Sequence, residues 1–349
     1  MFTRSFTGKG GLFIFLAGVC LLFSSQKKPA AQRGAPLKVI FETDMGNDVD
    51  DALALDMLYK YMKEGKINLL AVSSNKNNIY SSLFISLMNN WYGYPHIPVG
   101  RVKDGADSEE NPNNYARAAY RYTAKGGQKV FKAPDTTAAY KESVALYREV
   151  LSRQPDSSVV IISVGFSTNL ARLLDSGPDS FSPLGGRDLV AAKVNLLSVM
   201  AGDFEEKRMA EYNVKIDVAA AKKVFGSWPG RIVTSPFELG NTILYPARSI
   251  RQDFTWTEHH PVVVAYESYL KMPYDRPTWD LTSVLYAVEG LKDYFSISRP
   301  GKIYADKEGF TFFDPAPQGN HFYLAADEEQ RKKILQRFIT LVTRNPKGR

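Results

Sequence analysis

Four stretches of this 349-residue chain run through valine, isoleucine and leucine with few polar breaks: "LKVIF" (37–41), "INLLAVSS" (67–74), "SSVVIISV" (157–164) and "AAKVNLLSVM" (191–200). A strand with one wet face alternates polar and apolar residues. These runs do not, so both of their faces must be covered. Between them lie stretches of helical spacing: Asp50 to Lys63, ended by Gly65, then 79–92, 167–175 and 216–225, before "RIVTS" (231–235) leads into a loop. Strand and helix in alternation predict an α/β fold, doubly wound, with a mostly parallel sheet flanked by helices. Residues 101–135, with "DGADSEENPNN" and "AKGGQK", read as a loop-rich insertion near a rim.

A fold of this kind places its ligand beyond the carboxyl ends of the strands. Polar residues that follow an apolar run directly are therefore the candidates for function. "ETDMGNDVDD" follows the first run, "NKNN" the second, "GFSTN" the third and "AGDFEEKRMAEYN" the fourth. The first of these sets Glu42, Asp44, Asp48, Asp50 and Asp51 within ten residues, with no lysine or arginine between 39 and 59. Carboxylates so crowded at the end of a buried strand must be paired, solvated or bound to a cation. Asp50 and Asp51 also stand at a helix start, where the dipole favours negative charge. Capping accounts for one or two carboxylates and leaves the others unexplained, so the turn reads as a metal site. The hard oxygen donors suit calcium, although the spacing is not that of an EF-hand.

The first residues set basic Arg4 and Lys9 ahead of "GGLFIFLAGVCLLF", followed by polar "SSQKKPAAQRGAP". This reads as a secretory signal over 1–25 and a linker over 26–36, with a single domain from 37 to 349. An uncleaved anchor and a lipoprotein attached through Cys20 are the alternatives. Cys20 is the only cysteine, so the mature chain has no thiol chemistry, and the expected location is a periplasm or cell surface. Lysine and arginine are scattered despite the net charge of +7, which argues against a nucleic-acid polymer as partner.

The acidic turn resembles the amino-terminal signature of the nucleoside hydrolases, Asp-x-Asp-Pro-Gly-x-Asp-Asp-Ala-x-Ala. Asp44, Gly46 and Asp50-Asp51-Ala52 fall on its fixed positions; Met45 replaces the proline, and Asn47 and Asp48 lie in a turn two residues longer. The resemblance continues in order through "AVSSNKNN", "SVGFSTNLA", "MAGDFEEKRMAEYN" and "PTWDLTSVLYAV", over about residues 37 to 290. It implies hydrolysis of the N-glycosidic bond of a nucleoside, a small-molecule substrate, with Ca²⁺ as cofactor and a dimer or tetramer as assembly. It further implies Asp44, Asp51, Asp280 and the Val164 carbonyl as metal ligands and Asp50 as general base. Asn78, Glu211 and Asn213 would contact ribose. Trp279 stands where relatives carry a histidine that protonates the leaving base, and an indole cannot supply that proton. Trp279 would then stack on the base, or an acid would come from Glu258, His259, His260 or His321. A non-catalytic ribosyl-binding protein and a hydrolase of another ribosyl conjugate are the rival readings.

Overall fold

The computed structural model describes residues 35–106 and 114–346, together with a few residues at the amino terminus. The signal and linker readings, Cys20 included, lie outside the described residues, as does 107–113 of the insertion. Thirteen strands are present among the described residues: β1 (Leu37–Thr43), β2 (Ile67–Ser74), β3 (Val99–Arg101), β4 (Lys141–Glu142), β5 (Val159–Ser163), β6 (Val194–Met200), β7 (Arg231–Ser235), β8 (Leu244–Tyr245), β9 (Arg276–Pro277), β10 (Ser296–Ile297), β11 (Gly301–Ala305), β12 (Thr311–Pro315) and β13 (His321–Ala325). Eleven of them form one sheet in the order β12-β11-β13-β7-β6-β5-β1-β2-β3-β4, with β10 paired to β13. From β13 through β4 every neighbouring pair is parallel; β10, β11 and β12 are antiparallel. β8 and β9 make a separate antiparallel pair. The α/β, mostly parallel architecture is the one the apolar runs predict.

The apolar runs work by alternation. Val39 and Phe41 belong to one buried cluster and Ile40 to another, as successive strand residues point to opposite faces. Helices cover both faces, and the helix Asp50–Lys63 packs against the helix Trp279–Glu289 on one of them.

Several elements depart from the sequence reading. Residues 191–193 of the fourth apolar run complete a helix, Gly186–Lys193, and the strand starts at Val194; Ala191, Ala192 and Lys193 are good helix formers and extend the helix up to β-branched Val194. The expected helix 216–225 is two helices, Tyr212–Ile216 and Val218–Ser227, separated at Asp217, whose side chain accepts from the Ala220 amide. A short helix, Phe237–Asn241, stands where a loop was expected after β7. Within the insertion, Tyr115–Arg121 is helical, with Tyr115, Ala116 and Ala119 fully buried.

Strand order reverses between β1 and β5, one leading to β2 and the other to β6, so a crevice opens at their carboxyl ends. The register brings the ends level: Glu42 pairs with both Ser73 and Ser163, Ser163 with Val199, and Met200 with Ser235. Five loops therefore start side by side. Those after β1, β2 and β5 are in near contact at Gly165, where an added β-carbon would stand 2.6 Å from the Asp44 amide nitrogen and 2.5 Å from Asn75 Oδ1. Gly165→Ala is expected to lower stability by about 1–3 kcal/mol, seen as a fall in the urea midpoint at constant m-value. An unchanged midpoint would mean that these loops do not abut.

Candidate active site

Thr43 closes β1 and donates its hydroxyl to Asp51 Oδ1, while the Met45 amide donates back to Thr43 Oγ1 at 3.1 Å. Gly46 then takes φ +110°, a value that side-chain-bearing residues avoid, and turns the chain into the helix Asp50–Lys63. The turn is held from behind: Ser81 Oγ donates to the Met45 carbonyl at 2.5 Å and the Tyr115 hydroxyl to Met45 Sδ at 3.0 Å. The insertion thus supports the acidic turn through a buried helix.

Asp280 arrives from the far end of the chain, in the first turn of Trp279–Glu289. Its amide donates to Asp50 Oδ2 at 3.0 Å. Asp50, Asp51 and Asp280 each offer an oxygen within 4.8 Å of the other two, and all three are buried. Two helix N-termini meet at this point, and their positive dipole ends favour the carboxylates. The favour is not enough to offset burial. Desolvation, followed by repulsion from Asp48, pushes Asp50 well above the ordinary carboxyl range. Asp51 is raised by burial and then by Asp44 and Asp50; Asp280 by burial and then by Asp50, Asp51 and Asp44. Burial likewise pushes Asp44 up to about 6 and Glu211 up to about 7. Oxygen-only donors of this charge, crowded and dehydrated, fit a hard divalent cation such as calcium.

The carboxylates line one end of a cavity of about 300 Å³, large enough to suit a small ligand. Its walls include Asp44, Asn47, Asp48, Asp50, Asp51, Val164, Glu211, Asn213, Trp279 and Asp280. Eight of the nine residues singled out from the sequence therefore converge. The ninth, Asn78, is not in the lining: it caps the helix Ile79–Tyr92, its side-chain oxygen accepting from the Tyr80 amide at 2.9 Å. Glu211 is held rigidly, accepting from the amides of Asn213 (2.8 Å), Gly202 (3.1 Å) and Val214 (3.3 Å). The Asn213 amide group donates to the carbonyls of Val164 and Met200, which ties the ends of β5 and β6 together.

Trp279 presents a face and no proton. Its indole N–H donates to the Phe237 carbonyl at 3.0 Å, its ring stacks on Phe237, and Gly240 packs flat against it. None of the alternative acids lines the cavity. His260 caps the helix Pro261–Tyr269 from a buried aromatic nest, and His321 accepts from the Ile303 amide on the antiparallel edge. His259 packs on Tyr122, and Glu258 is exposed.

The cavity also contains residues assigned no role from the sequence: Asn47, Asp48, Met200 and Tyr212 inside the quoted motifs, and Phe237 and Tyr269 outside them. Phe237 follows β7 directly, so the strand-end rule would have found it. Tyr269 has no local signal. Asn47 and Asp48, the extra residues of the turn, each bring in a cation. Asn47 donates to Asp44 Oδ2 at 2.7 Å and accepts from the buried Lys76 ammonium. Asp48 accepts two hydrogen bonds from Arg276.

Comparison with known proteins follows this geometry. A family model described as inosine-uridine preferring nucleoside hydrolase matches residues 39–321. No curated protein matches. Among solved structures, a purine-preferring ribonucleoside hydrolase from Gardnerella vaginalis is 15% identical, with a TM-score of 0.67 over 88% of this chain and 98% of that one. An inosine-uridine preferring nucleoside hydrolase from Bacillus anthracis is 16% identical, with a TM-score of 0.66 over 88% and 99%. The type III effector protein XopQ, solved with adenosine diphosphate ribose, is 14% identical, with a TM-score of 0.62 over 89% and 94%. At such identities the structural likeness is one of fold.

The raised carboxyls predict an inverted pH response. A carboxyl whose folded pKa exceeds its unfolded value loses its contribution as pH rises through the folded value. With chelator present, the contribution from Asp44 should fall between about 3.8 and about 6, and that from Glu211 between about 4.5 and about 7. The melting temperature in chelator should therefore decline from about pH 4 to about pH 7, and saturating calcium should remove the decline. Calcium that leaves the melting temperature unmoved at pH 8 would contradict a cation site here.

Proposed function

The chain belongs to the nucleoside hydrolase family and is by that membership an N-glycosyl hydrolase; on that premise we propose that it splits ribonucleosides into base and ribose with a calcium-held water. The observation that carries this reading is the convergence of Asp50, Asp51 and Asp280, from opposite ends of the chain, on one buried point beside a ligand-sized cavity. Those three carboxylates, with Asp44 and the Val164 carbonyl next to them, would hold the ion. When bound, calcium would lower the pKa of a coordinated water and anchor vicinal hydroxyls of the sugar.

The chain's own residues do the rest. Glu211 and Asn213 line the cavity next to the carboxylates, and their backbone ties fix them for hydrogen bonding to the ribose. Asn78, engaged as a helix cap and away from the lining, is left out of the proposed sugar site. The face of Trp279, backed by Phe237, offers a stacking surface for the base. The water's proton needs an acceptor. For that role we take Asp44 in place of Asp50. Asp50 belongs to the tight trio and spends Oδ2 on the Asp280 amide, whereas Asp44 stands outside the trio and lines the same cavity. The clustered negative charge also favours the positive charge that develops on the ribosyl ring as the bond breaks.

Release of free ribose from inosine, uridine and adenosine, with and without chelator, tests the reading. Asp44→Asn should lower kcat by about 10²–10⁴ and reduce calcium affinity far less. Asp51→Asn and Asp280→Asn should lose calcium, as measured by calorimetry, and activity with it. Near-normal turnover by Asp44→Asn would remove the assigned base; absence of ribose release from every nucleoside would remove the function.

A further inference from the structure

The cavity lining also includes four aromatic residues, Tyr212, Phe237, Tyr269 and Trp279. None of these sheds a proton readily near neutrality. The Trp279 indole is committed to the Phe237 carbonyl, and burial pushes the Tyr269 phenol up to about 12. A positive charge stands beside these rings, outside the lining itself. The Arg276 guanidinium lies 5.3 Å from the ring centroids of both Tyr269 and Trp279, and its Nη2 donates to the Tyr269 hydroxyl at 3.2 Å. Arg276 comes from β9, three residues ahead of Trp279, and is half-buried. Its aim is set by Asp48, which accepts from Nε at 2.8 Å and from Nη2. Nε and Nη2 are thus taken up, and Nη1 has no partner among the described residues. Asp48 exists only because the acidic turn is two residues longer than the motif it resembles.

We propose that Arg276, held by Asp48, is a specificity-determining residue for the leaving group: it favours bases that depart carrying negative charge, the oxo-substituted purines and pyrimidines, over bases that must be protonated to leave. The proposal rests on the N-riboside reading above. In the step it serves, the bond from the anomeric carbon to the base nitrogen breaks and its electron pair stays with the base. The water oxygen bonds to that carbon and gives its proton to Asp44. The base leaves as an anion, its charge spread onto ring nitrogen and carbonyl oxygen, and takes a proton from solvent afterwards. A guanidinium 5.3 Å from two rings of the lining favours a base that gains negative charge in the transition state, and an arginine stays charged throughout.

The test uses the full chain saturated with calcium. Inosine, adenosine and p-nitrophenyl β-ribofuranoside are compared; the last has a leaving group that is a stable anion unaided. Wild type should prefer inosine to adenosine by at least about tenfold in kcat/KM. Arg276→Met should lower kcat on inosine by about a hundredfold and on the p-nitrophenyl riboside by less than about tenfold. Asp48→Asn, which keeps the guanidinium but unhooks it, should show the same ordering with smaller losses, and it decides the matter if Arg276→Met does not fold. The wild-type kcat on inosine should rise with pH and then stay level to about pH 9, because no group with a neutral pKa donates a proton. A descending limb below that pH, or equal losses on the two ribosides, would overturn the proposal. Failure of wild type to cleave any riboside would instead overturn the underlying function.

Discussion

Mutual repulsion among buried carboxylates is the constraint on which the rest of this structure depends. Desolvation disfavours each of Asp44, Asp50, Asp51 and Asp280 as an anion; Asp48 further repels all four, and Asp51 and Asp280 also feel Asp44 and Asp50. No fold would gather them for stability. The sheet gathers them regardless, because reversal of strand order beside β1 opens the crevice where the acidic turn must sit, and the long helix packed against Asp50–Lys63 delivers Asp280 to the same point. The arrangement suits a cation at its centre. The cavity, the rigid Glu211 and Asn213, and the aromatic wall are all placed relative to that centre.

The lengthened turn shows how one local change can alter the chemistry at a distance. Two residues added between Gly46 and Asp50 recruit two cations, Lys76 through Asn47 and Arg276 through Asp48. Lys76 acts on the carboxylate side, where its charge lies close enough to oppose the upward shift of Asp44. Arg276 acts on the aromatic side, against Tyr269 and Trp279. A loop that carries only negative side chains in the sequence thus becomes part of a mixed-charge network in the fold.

Much of the framework was legible before any coordinates. The runs at 37–41, 67–74 and 231–235 lie on strands, and helices stand at 50–63 and 79–92, because unbroken β-branched runs and 3.6-residue periodicity are local signals. Eight candidate residues meet at the cavity: those after β1, β5 and β6 follow the strand-end rule, and Trp279 and Asp280 came from the family resemblance. The failures have physical causes as well. The boundary at Val194 was misplaced because helix formers abut the strand without a Gly or Pro between them. The antiparallel edge of β11, β12 and β13 carries short, half-exposed strands with weak patterning. The side chain of Asn78 was expected on a sugar and is found on a helix amide, a competition that residue type alone does not decide. Tyr269 and Arg276 depend on tertiary contacts that no spacing encodes.

The hydrogen bond from the Asp280 amide to Asp50 joins residues 230 positions apart. Loop closure over that span must be complete before the crowded charges have their final neighbours. A nascent chain therefore carries the acidic turn through most of its synthesis without the segment that finishes it. Until residue 280 and its helix have emerged and docked, the chain can have neither an ion cage nor a catalytic pocket, so competence arrives all at once and late.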